Sequence, residues 1–84
     1  MTRQQALEAY RQVWRRAKQL RDEAALTERE HKLADDVQRS AQQFATELKA
    51  KQHTPTKMRD FERTARYLEG MLDRIDKAVK GRAA

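Results

Sequence analysis

The side chains with most to offer a ligand are cations at helical spacing. Arg59, Arg63, Arg66 and Lys77 recur around Gly70 at intervals that set them on one side of an α-helix, and Arg11, Arg15 and Lys18, with Arg16 beside them, form a second group near the N-terminus. Guanidinium groups held in such a row grip carboxylates or phosphates through charge-assisted, often bidentate hydrogen bonds. The chain as a whole has 19 Lys and Arg against 13 Asp and Glu, a formal charge of +6, so its natural partners are acidic: a negative protein surface, a nucleoprotein complex or nucleic acid itself.

Catalytic chemistry finds little to work with. The two histidines are His31, among Glu28, Glu30, Asp35 and Asp36, and His53, in the linker before Pro55. Neither belongs to an HExxH or paired ExxH pattern, so both read as surface residues and no metal site is expected. Ser40 is the lone serine and has no histidine at a telling spacing, both glycines are isolated, and there is no cysteine. Nucleophile, phosphate loop, thiolate site and disulfide are therefore all unsupported, and the expectation is a protein that is not an enzyme and uses no cofactor.

The elements that position these residues are amphipathic helices. Charged and apolar residues each make up 38% of the 84, with two Gly and one Pro, a balance that suits long helices in a single domain, residues 1–84. The best-specified helix is the last. Met58, Phe61, Ala65, Leu68, Leu72, Ile75 and Val79 step by three and four, a coiled-coil-like seam, with Thr54 as cap, Pro55 at the first position and Gly81 as a left-handed stop. Gly70 lies opposite that seam. It is either a weak choice tolerated on a solvated face or a place where another backbone comes close among the basic side chains.

A second seam, Ala6, Tyr10, Val13, Ala17, Leu20 and Ala24 widened by Leu7 and Trp14, follows a capping box of Thr2 and Gln5. Trp14 at its edge is expected to pack its ring on a neighbouring helix, with an exposed interface anchor as the other reading; Tyr10 and Tyr67 carry the same ambiguity. The third seam, Leu33, Ala34, Val37, Ala41, Phe44, Ala45 and Leu48, is rich in alanine, so Phe44 and Leu48 must supply much of its burial. Opposite charges at i and i+4 mark the outer faces: Glu28 with Lys32, Asp35 with Arg39, Glu47 with Lys51, Glu62 with Arg66, Asp73 with Lys77 and Asp76 with Lys80.

The topology turns on residues 24–30, AALTERE. Thr27 with Glu30 makes a second capping box, and Leu26 before it is an apolar staple residue whose partner would be His31. A break there gives three segments of similar length, which close as an antiparallel three-helix bundle with helices near 3–25, 28–52 and 55–80. Yet no Gly or Pro interrupts residues 1–54, so the alternative is one long helix, 3–52, that forms a hairpin with 55–80 and dimerises. The bundle is the expected fold.

The expected function is a non-catalytic protein-protein interaction module, an adaptor, inhibitor or assembly subunit, that docks a basic helical face onto an acidic surface. Its contact residues would be Arg59, Arg63, Arg66, Gly70 and Lys77, with Arg11, Trp14, Arg15 and Lys18. The alternative is direct DNA or RNA binding through the phosphate backbone, although no zinc-finger, RNP or helix-turn-helix pattern is present and acidic residues interrupt both cationic rows. A second copy of the chain is a further candidate partner. The large apolar side chains are claimed by the seams, which argues against a membrane, and without an apolar leader or an 18-residue apolar run the expected compartment is the cytoplasm.

Overall fold

Three threonines set the three helix starts. In the computed structural model, which describes residues 2–83, α1 is Arg3–Glu23, α2 is Glu28–Ala50 and α3 is Pro55–Ala83. Before α1, the Gln5 amide N–H donates to Thr2 Oγ1 (3.1 Å) and Thr2 N–H donates to Gln5 Oε1 (2.9 Å). The same box recurs before α2, where Glu30 N–H donates to Thr27 Oγ1 (3.1 Å) and Thr27 N–H to Glu30 Oε1 (3.0 Å). Before α3, Lys57 N–H donates to Thr54 Oγ1 (3.2 Å), and Pro55 takes the first helical position. Each device satisfies donors that a helix start leaves free.

The break between α1 and α2 is real, so the fold is the three-helix bundle and not the hairpin of a continuous helix. Ala24 leaves the helix at φ −95° and ψ 148°, and Thr27 is extended as an N-cap should be. Leu26 packs on the core rather than on His31, which is exposed. The first two helices end two residues earlier than periodicity suggests. The third runs on to Ala83, past Gly81, which adopts no positive φ and stops nothing. The cause is non-local. Arg82 donates to both carboxylate oxygens of Glu30 (2.8 and 2.6 Å) and to the Ala25 carbonyl (3.1 Å), so the last turn of α3 is tied to the α1–α2 corner. The helix therefore continues through a glycine that is only mildly unfavourable in a helix interior.

The far end is closed the same way. Arg3 donates to the carbonyls of Leu48 (2.8 Å), Lys49 (2.8 Å) and Lys51 (3.1 Å), and His53 donates from Nε2 to the Glu47 carbonyl (3.0 Å). The acceptors that the end of α2 would otherwise leave unpaired are thus largely taken. His53 is therefore not the plain surface residue its linker position suggests. Its ring lies 4.8 Å from that of Phe61 and is half-buried.

All three helices pack on one another in a rod 44 Å long and 17 Å across. The seams meet as the spacing predicts: Ala6, Leu7, Tyr10, Val13 and Ala17 from α1, Ala34, Val37, Ala41 and Leu48 from α2, and Phe61, Ala65, Leu68, Leu72 and Ile75 from α3 are buried. Near the α2–α3 turn each helix contributes one ring. Tyr10 is 6.0 Å from Phe44 and 6.5 Å from Phe61, and Phe44 is 6.4 Å from Phe61. The Tyr10 hydroxyl, in a side chain with no exposed surface, donates to the Phe61 carbonyl. Burial, helped by the field of Glu47, pushes its pKa up to about 12.

One ion pair joins each pair of helices: Arg21 to Asp35 (3.2 Å) between α1 and α2, Arg16 to Asp73 (2.6 Å) between α1 and α3, and Arg82 to Glu30 (2.6 Å) between α3 and α2. Solvent screens partly exposed pairs of this kind, so they set register more than stability.

Thr27→Ala is expected to cost about 0.5–2 kcal/mol in denaturant unfolding, the value of a lost N-cap. A residue in the middle of a long helix would instead gain from alanine. Hydrogen bonding to Arg82, then to the Thr27 backbone, holds the Glu30 carboxyl at about 2, below its ordinary 4.5. Its contribution is therefore complete above about pH 4.5 and lost as pH falls toward 2, and Glu30→Gln should flatten that part of the stability-pH curve.

Candidate docking surface

The anticipated contact residues fall on two separate surfaces, and several are already occupied. On α3, Arg59, Arg63, Arg66 and Lys77 are exposed, as expected. Arg66, however, is paired with Glu62 (3.3 Å). Lys77 does not pair with Asp73, because that carboxylate reaches across to Arg16 instead. An inter-helix partner at 2.6 Å has displaced the local i,i+4 one and left Lys77 free. Asp35 with Arg39 and Asp76 with Lys80 form as anticipated, at 3.0 Å each. Glu28 with Lys32 does not close within 4.0 Å, nor does Glu47 with Lys51, whose second member lies beyond the end of α2.

On α1, Lys18 is held by Asp22 (2.7 Å), and that contact keeps the Asp22 carboxyl below the usual carboxylate range. Arg11 lies 3.8 Å from Glu8, while Arg15 has no carboxylate within reach. Trp14 is half-buried and packs against the core, which is the first of its two readings.

Among the described residues, the cations of α3 without an ion pair are Lys57, Arg59, Arg63, Arg74 and Lys77. At about 100° per residue, Arg63, Tyr67, Gly70 and Arg74 share a strip roughly 60° wide, with Arg59 and Lys77 along one edge and Asp60 on the other. The strip is about 16 Å long at 1.5 Å per residue. Tyr67, which the spacing left undecided, is 65% exposed, and it is the one large hydrophobic side chain on the surface of the described residues. Arg74 is the one residue of this strip that the spacing argument did not single out. For Tyr67 the signal was present: it sits about 125° from the centre of the α3 seam, too far round the helix to pack.

Gly70 lies beside Tyr67. A Cβ built there would meet no atom within 4 Å, and its backbone is ordinary helix, so nothing inside the protein requires glycine. Removing the side chain clears a shelf next to the tyrosine ring.

Neither histidine stands near a set of ligands, and among the described residues no three of His, Cys, Asp and Glu gather to hold a metal ion. Among the described residues no helix is long and apolar enough to cross a membrane. Comparison with known protein families, curated proteins and solved structures gives no match.

Gly70→Ala is expected to raise stability by about 0.5–1 kcal/mol, read as a shifted denaturation midpoint with an unchanged slope. The methyl group fills open space, so a loss of stability would mean that α3 is not regular at this turn.

Proposed function

We propose that the protein is a non-catalytic docking module whose α3 strip, Arg63, Tyr67, Gly70 and Arg74, binds an acidic patch on a partner protein. The observation that carries this reading is Tyr67, exposed at 65% between arginines that have no internal carboxylate. Tyrosine and arginine, with tryptophan, are enriched at the energetic centre of protein interfaces, the ring because it loses little entropy on docking and the guanidinium because its planar fork pairs with carboxylates through two hydrogen bonds. Gly70 lets the partner approach the helix backbone beside the ring.

Charge argues for a different protein over a second copy of this chain. An antiparallel α3 crossing at Gly70 would set Arg63 opposite Lys77 and Arg66 opposite Arg74, like facing like. Nucleic acid is the competing occupant, since the same cations attract phosphates. Against it, the strip is short, centred on an aromatic ring and bordered by Asp60, Glu62 and Asp73, whereas a phosphate track wants an unbroken cationic row.

A photo-crosslinker placed at position 67 should capture a partner protein in nuclease-treated extract of the source cells. Tyr67→Ala and the double reversal Arg63→Glu with Arg74→Glu should each lower affinity for the purified partner by about tenfold or more, with helical circular dichroism unchanged. Affinity should fall only modestly as salt is raised. A capture that nuclease abolishes, with a steep linear loss of log affinity against log salt, would establish nucleic acid in its place.

A further inference from the structure

We propose that the furrow between α1 and α2 is a second, independent docking site, one that takes a partner peptide segment carrying carboxylates on either side of a large apolar side chain. Beside Trp14, where Gln42 and Lys49 also line the space, α2 presents the methyl groups of Ala41 and Ala45. These are too small to fill the space, and a furrow of about 330 Å³ remains, floored by the two alanines and walled by the indole. That is at the low end of the roughly 300–1,000 Å³ of small-molecule pockets, and the furrow is open along one side, so it suits an inserted side chain better than an enclosed ligand.

Its rim chooses the occupant. Arg11 and Arg15 from α1 and Lys49 from α2 border the furrow, and no carboxylate lines it. Among the described residues Arg15 and Lys49 have no ion-pair partner, and Arg11 lies 3.8 Å from Glu8. A slot with an alanine floor and an indole wall, bordered by cations of which two have no acidic partner among the described residues, is complementary to an apolar knob flanked by Asp or Glu. A second copy of this chain does not supply that knob: among the described residues its one exposed large apolar side chain, Tyr67, is flanked by Arg63 and Arg74. No residue of α3 lines the furrow, so it faces away from the α3 strip. A 17 Å-wide rod with a distinct site on each side can hold two acidic partners at once.

Trp14 is the only tryptophan in the chain, so its emission reports this site alone. The test pans a random twelve-residue peptide display library against the immobilised full chain and titrates the selected peptides, made synthetically, while Trp14 fluorescence is followed. The inference expects selected sequences in which acidic residues flank Leu, Ile, Met or Phe, with a saturable change in emission. Arg15→Glu with Lys49→Glu should weaken binding by about tenfold or more. Ala45→Leu, which fills the floor and leaves every charge in place, should do the same with the helical circular dichroism intact. Arg63→Glu with Arg74→Glu should change it less than about twofold, which separates failure here from failure of the α3 reading. No enrichment of acidic peptides, selected peptides indifferent to both furrow variants, or quenching by an oligonucleotide where no peptide binds would each overturn the inference.

Discussion

The bundle depends on the contact between Tyr10, Phe44 and Phe61, where the three helices each contribute a ring. The middle helix makes this necessary. Half of its buried residues, Ala34 and Ala41, are alanine, which lets neighbours come close but removes little apolar surface from water. Edge-to-face and stacked ring pairs add about 0.5–1.5 kcal/mol each beyond that burial. The Tyr10 hydroxyl then has to find an acceptor inside the core, and it takes the Phe61 carbonyl, an α1 side chain bonded to the α3 backbone. A buried donor without that partner would cost about 1–3 kcal/mol, so the node fixes the position of α3 relative to α1 as well as holding it there. His53, seated on Phe61 and bonded to Glu47, extends the node into the turn.

A chain this short has few side chains to spare, and the same residue types do different work according to which partner reaches them first. Arginine illustrates it. Arg3 caps the end of α2, Arg82 ties α3 to the α1–α2 corner, and Arg16 and Arg21 bridge helix pairs, so much of the positive charge is structural. Of the cations without an ion pair among the described residues, Arg59, Arg63, Arg74 and Lys77 lie on or beside the α3 strip, and Arg15 and Lys49 border the Trp14 furrow. The two tyrosines divide the same way: Tyr10 is wholly internal and Tyr67 is outside.

Most of the fold was legible in the sequence because it is encoded locally. The three- and four-residue steps identify the seams, and each threonine lies three residues before the donor it satisfies. The errors share one cause. Gly81 looks like a stop by the usual local rule, but Arg82 meets Glu30, 52 positions away in the chain. Asp73 has Lys77 at ideal helical spacing and still turns to Arg16 on another helix. His53 looks exposed in a linker until Phe61 comes beneath it. The candidate surfaces were half legible: Arg63 and Gly70 come from spacing, Tyr67 needed only its angle on the helix taken seriously, and the furrow is invisible until Ala41 and Ala45 are seen opposite Trp14.

The central claim is that one tyrosine is committed to the core and the other is left for a partner. Tyrosine-selective modification, followed by mass spectrometry on the protein alone and then saturated with the proposed acidic partner once captured, measures both halves at once. The account predicts that Tyr67 reacts and Tyr10 does not in the free protein, and that Tyr67 becomes protected in the complex while Tyr10 is unchanged. Reaction of the two at similar rates would contradict the buried node, and a Tyr67 that stays fully reactive in a saturated complex would contradict the docking strip.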